Sequence, residues 1–92
     1  MLDRLNTVTQ RLAEIDALID EGSVLRDQKK YKELMKERAY CVRLQEAYQE
    51  YLSTESQLVQ AREMVETESD PELKKMAHEE ARILEARLNE LQ

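Results

Sequence analysis

Apolar residues recur at steps of three and four from the start of the chain. Leu2, Leu5, Val8, Leu12, Ile15 and Ile19 lie on one face of a helix, which predicts a first helix over about residues 2–20. Glu21-Gly22-Ser23 ends it, with the only Gly of the chain where a helix C-terminus favours a residue tolerant of positive φ. Asp27 is a good N-cap for a second helix, and neither Gly nor Pro appears from Gln28 to Pro71. Within that stretch Leu34, Cys41 and Tyr48 recur every seven residues, and so do Leu44, Tyr51, Leu58 and Val65. The two series interlock into a coiled-coil-like seam. Thr54 and Gln57 have the spacing of a capping box, which would break the helix near Ser53. The series through Leu44 and Val65 keeps its phase across that point, so one helix over about 27–66 is expected, roughly 60 Å long. Ser69-Asp70-Pro71-Glu72 then supplies a cap, Pro at the first helical position and acid in the first turn. It opens a third helix over about 71–92 with Leu73, Met76, Ala77, Leu84, Leu88 and Leu91 on one face.

These lengths predict an all-α single domain at 1–92: an elongated antiparallel bundle or coiled coil of three helices with a long central helix. The first helix folds back on roughly residues 27–45 and the third on roughly 45–66. Two partners that barely overlap along a shared spine are an odd economy for a free-standing bundle. With Leu88 and Leu91 still amphipathic, the expectation is that the chain runs on beyond Gln92.

Composition agrees. More than half of the 92 residues are Ala, Glu, Lys, Leu or Arg, as in long helices. No apolar run approaches the length of a membrane span, and the charges within residues 1–20 leave no signal-peptide core. A lone Cys41 forms no internal disulfide and points to a reducing, cytoplasmic setting. The net charge of −6 argues against a DNA-binding module.

Few residues could carry chemistry. His78-Glu79-Glu80-Ala81-Arg82 begins like a zinc-binding His-Glu-x-x-His motif, but Arg82 stands at the second ligand position, so His78 is a solvated helix residue. Cys41 lies on the seam and packs as a small hydrophobe. Tyr48 and Tyr51 fit the seam and pack with their hydroxyls towards solvent, while Tyr40 lies off the main stripe. One Gly rules out a glycine-rich phosphate loop. No cofactor, metal or catalytic residue is expected, and the chain is not an enzyme. Charge, however, is uneven: residues 27–42 sum to +2, and residues 43–72 to −6. Glu63, Glu66, Glu68 and Asp70 crowd the turn between the second and third helices. They read either as a solvated acidic turn or as a contact patch for a basic protein partner.

Four stretches stand out together: Met1-Leu2-Asp3-Arg4-Leu5, Asp27-Gln28-Lys29-Lys30-Tyr31-Lys32-Glu33-Leu34, Glu46-Ala47-Tyr48-Gln49-Glu50-Tyr51, and Ser69-Asp70-Pro71-Glu72-Leu73-Lys74-Lys75-Met76-Ala77-His78-Glu79-Glu80. In this order and spacing they resemble the N-terminal domain of bacterial class I peptide chain release factors, nearer the type 1 branch, over the whole chain. The resemblance implies an elongated helical domain, without the Gly-Gly-Gln loop and the codon-reading tripeptide that lie in the family's other domains. It implies a non-catalytic part that docks the factor on the ribosome near the large-subunit stalk base during stop-codon-dependent release. Its partners would be the ribosome and the recycling translational GTPase, with no DNA and no membrane. Glu21-Gly22-Ser23 departs from the Asp-Pro-Glu turn common in that family, which touches only the first loop. The alternative is a stand-alone coiled-coil module that self-associates, as a homodimer, through Leu44, Tyr51, Leu58 and Val65.

Overall fold

The computed structural model describes all residues, Met1–Gln92, and every regular element is helical. Helix α1 spans Leu2–Glu21, α2 Gln28–Thr67 and α3 Pro71–Leu91. A short 3₁₀ helix, Ser23–Arg26, lies between α1 and α2, which the sequence pattern did not suggest. The all-α class and the three helices are as expected, and each end falls within one residue of its expected place. The local causes are the anticipated ones. Gly22 caps α1 in the left-handed region at φ 89°, its N–H donating to Ile19 O at 3.1 Å. Asp27 Oδ1 accepts from Lys30 N at 3.2 Å, and Asp70 Oδ1 accepts from Glu72 N at 2.9 Å, with Pro71 opening α3.

The helices form two compact units, Met1–Gln49 and Glu50–Gln92, and α2 contributes to both. In the first, α1 runs antiparallel to the N-terminal part of α2. Val8, Leu12 and Ile15 pack with Val24 of the 3₁₀ helix and with Leu34 and Cys41 of α2, and Tyr31 and Tyr48 close the flanks. Ile15 is fully buried. Val24 explains the 3₁₀ helix, which turns an apolar side chain back onto the core where a looser loop would leave it in water. In the second unit the C-terminal part of α2 runs antiparallel to α3, with Thr54, Leu58, Ala61 and Ala77 buried. Leu84, Leu88 and Leu91 are half-buried alongside them.

The structure refines the seam and corrects part of the apolar stripes. All seven residues of the two interlocked series are buried or half-buried, as expected. The series Leu34, Cys41, Tyr48 serves the first unit, but its continuation falls on Glu55 and Arg62, both exposed. Thr54 and Ala61, one residue earlier, are buried instead. The buried positions of α2 therefore take two successive steps of three at Tyr48–Tyr51–Thr54, the signature of a stammer. As expected, the helix runs on through Ser53 and the capping-box spacing goes unused: Thr54 is in the interior, and Gln57 Nε2 donates to Ser53 Oγ at 3.2 Å. Finally, Leu2, Leu73 and Met76 are exposed. Met76 lies a step off the line through Ala77, Leu84 and Leu88, where the half-buried Ala81 belongs.

Candidate partner-contact surface

The acidic turn is built by its own backbone needs. Between Thr67 and Pro71 the chain leaves one helix and enters another, which strands N–H groups at the start of α3. Glu68 is half-buried and its Oε1 accepts from Ser69 N at 3.1 Å and from Asp70 N at 3.0 Å. Asp70 caps α3. Two of the four acids thus hold the turn in shape. Glu63 and Glu66 are exposed on the last turns of α2 and enter no ion pair. Glu66 shares the rim of an open depression with Arg62, Val65, His78, Arg82 and Glu85, and His78 is exposed there. The turn brings the four acids close in sequence and space, but only Glu63 and Glu66 keep side chains without a structural duty.

Elsewhere carboxylates meet arginines. Arg11 makes a two-pronged pair with Glu37, Nε to Oε2 at 2.5 Å and NH2 to Oε1 at 2.7 Å, and a longer contact with Glu14. Arg38 Nε donates to Asp16 Oδ1 at 2.7 Å. These hydrogen bonds from arginine hold the Glu37 and Asp16 carboxyls below their usual range, and hold both guanidiniums more firmly protonated. In the second unit Arg87 pairs with Glu50 and, at 3.3 Å, with Glu90. The hydrogen bond to Glu50 is the main cause that pushes the Arg87 guanidinium above its already high ordinary value.

With Glu37 committed to Arg11 and Arg38 to Asp16, the unpaired charges left on the N-terminal part of α2 are Glu33 and five cations, of which four form a row. Lys29, Lys32, Lys36 and Arg43 are all exposed, and none joins an ion pair. Their steps of three, four and seven set them on one face with Tyr40, which is 55 % exposed. That face lies opposite the buried line of Leu34, Cys41 and Tyr48. Net charge by segment gave only +2 for residues 27–42, because Asp27, Glu33 and Glu37 offset most of the cations and Arg43 fell in the next segment. Spacing of like charges would have found the row.

No group of three or more His, Cys, Asp or Glu side chains is placed to hold a metal ion. Cys41 is buried in the first unit's core. No helix is long and apolar enough to cross a membrane.

A family model described as the PCRF domain matches residues 8–92. The chain is 41 % identical over 86 residues to peptide chain release factor 1 of Treponema denticola, covering 94 % of this chain and 24 % of that protein. It is 36 % identical to peptide chain release factor 1 of Clostridium botulinum and 35 % identical to that of Lysinibacillus sphaericus. Both matches cover all 92 residues and 26 % of the relative. The chain thus spans about a quarter of the length of the curated relatives it matches. No solved structure matches it significantly. On the strength of a family model that matches residues 8–92, and of relatives that match 94 % or more of this chain, it belongs to the bacterial peptide chain release factors and corresponds to the N-terminal PCRF domain of their type 1 branch.

Proposed function

We propose that this chain is the non-catalytic docking domain of a translation termination factor. It seats the factor on the ribosome near the large-subunit stalk base and acts in the cytoplasm, where the recycling translational GTPase is a further partner. The observation that carries the reading is the match over residues 8–92 to relatives named peptide chain release factor 1. The geometry supports it through the exposed, unpaired acids Glu63 and Glu66 beside the turn. Glu63 and Glu66, beside the turn held by Glu68 and Asp70, form the acidic contact for a basic protein partner. The test is a chimera of the Treponema denticola factor in which this chain replaces the matching quarter, set against the same factor with that quarter deleted. The chimera should restore ribosome association and stop-codon-dependent release that the deletion loses. Unchanged association in the deletion would end the docking reading. Within the chimera, Glu63→Lys with Glu66→Lys should weaken association while leaving both turn-forming carboxylates in place.

A second reading is favoured by the exposure of Met76 and Ile83, at 63 % and 65 %, two turns apart on α3. Leu58 and its seam neighbours, the face expected to self-associate, are packed within the chain, so a homodimer would use Met76 and Ile83 instead. Sedimentation across concentration decides it: a monomer at all accessible concentrations removes this reading.

A further inference from the structure

We propose that the Lys29–Lys32–Lys36–Tyr40–Arg43 face of α2 is a contact surface for the RNA phosphate backbone. The proposal deepens the docking reading and rests on it for which RNA is met, the ribosomal one. The chemistry rests on the face alone.

Three observations lead here. The first is that the cations are unspent. Each lies exposed with no ion-pair partner in a chain that is acidic as a whole, whereas Arg11, Arg38, Arg62 and Arg87 are paired; Lys30, Lys74 and Lys75 are unpaired as well, so the layout is what sets this row apart. The second is their layout. Lys29 to Arg43 spans about 21 Å of helix along which cations outnumber acids. Asp27 stands at its N-terminal edge and Glu33 one turn in from Lys29, where both line an open depression with Lys29 and Lys30, and no acid interrupts the face from Lys36 to Arg43. A regular row of cations matches a polyanion with regularly spaced charges. Tyr40 sits among them with a hydroxyl that can donate to a phosphate oxygen. The third is that the row breaks a local rule. The first turn of α2 carries no acid and instead holds Lys29 and Lys30, at the end of the helix where the dipole disfavours cations. A sequence that places charge against helix stability retains it for another purpose.

Other occupants fit less well. A membrane surface needs apolar anchors beside the cations, and the face has Tyr40 with Ala39 and Ala47 and no larger aliphatic side chain. An acidic protein segment would need apolar contacts for the same reason.

The test titrates the 92-residue chain into a fluorescent 20-base-pair RNA duplex at several KCl concentrations and reads anisotropy. Four phosphate contacts give a log–log salt slope of about −3.6, or roughly 150-fold weaker binding between 50 and 200 mM salt. Lys32→Gln with Lys36→Gln should bring the slope to about −1.8, leaving roughly a 12-fold change over the same range. Lys74→Gln with Lys75→Gln, which alters net charge equally on α3, should leave the slope unchanged. Equal loss in both double variants, no binding by the parent chain at 50 mM salt, or equally tight binding of poly-glutamate would overturn the proposal. In the chimeric factor the two readings separate. If deleting the quarter abolishes ribosome association but the Lys32/Lys36 variant does not weaken it, docking stands and the stripe's part in it falls. If the variant loses duplex binding while the deletion leaves association intact, the stripe stands and docking falls.

Discussion

Replacing Ile15 by Ala tests whether the two units of the chain have separate stabilities. Ile15 is fully buried between α1, the 3₁₀ helix and α2. The substitution removes three carbons from a filled interior, a transfer loss of about 2.4 kcal/mol at about 0.8 kcal/mol each. The cavity left behind adds about 1–2 kcal/mol, because helices fixed by flanking contacts close it only in part. The expected loss of about 3.5–4.5 kcal/mol is a large share of the roughly 5–14 kcal/mol available to a chain this size. Urea denaturation followed by helical circular dichroism measures the total. Amide hydrogen exchange locates it. Protection should fall in α1 and in α2 as far as Cys41, while amides of α3 around Ala77 keep theirs, since they belong to the other unit. A loss below about 1 kcal/mol would show that Ile15 is not a packed core residue. Equal deprotection of α3 would show that the chain opens as one body, and the division into units would be wrong.

Other expectations follow from single features. Gly22→Ala should lower stability by about 1–2 kcal/mol through backbone strain alone, because nothing lies within 4 Å of the added methyl; a neutral result in thermal melts would contradict the left-handed cap. Thr54→Asp, which places a charge at a buried position, should destabilise the second unit by more than about 2 kcal/mol, whereas Glu55→Lys next to it should stay within about 0.5 kcal/mol. If Glu55→Lys were the damaging one in urea unfolding, the buried line would run through Glu55 after all. Asp16 and Glu37 have folded-state pKa values below their unfolded ones, so their contribution is present above the ordinary carboxylate range and is lost as pH falls through the lowered folded values. Arg11→Gln should flatten that acid limb in a pH series of melts, and an unchanged limb would show the pair contributes nothing.

Helix number, ends and caps were legible because each is fixed locally. Gly22, Asp27 and the Asp70-Pro71 pair act on backbone groups within three residues, so sequence neighbours contain the whole cause. The exchange of Tyr48's line for that of Thr54 and Ala61 was not legible from apolar residues alone. A threonine and an alanine do not announce a core, and the decisive signal was the charge on Glu55 and Arg62, which ends that line at Tyr48. Leu2, Leu73 and Met76 were assigned to core stripes from hydrophobicity, but whether a position at the edge of a stripe meets a neighbour depends on packing between helices. The acidic turn was visible as composition only. That Glu68 and Asp70 are tied to backbone N–H groups, and Glu63 and Glu66 are not, required coordinates. The basic face was the reverse case: its spacing was in the sequence, and the segment sum hid it.

Cys41 gives the first unit an internal clock. It is the chain's one thiol, buried against α1, and it reacts with a thiol reagent only when that contact opens. Where closing outruns the reaction, the labelling rate divided by that of an unfolded thiol is the fraction of time the unit is open. A single spectrophotometric trace therefore reads the opening free energy of residues 1–49 under native conditions, with no denaturant and no engineered probe. Any ligand that binds the closed form slows the trace in proportion to its occupancy. Molecules that engage the first unit can thus be ranked by time alone, without a label on either partner.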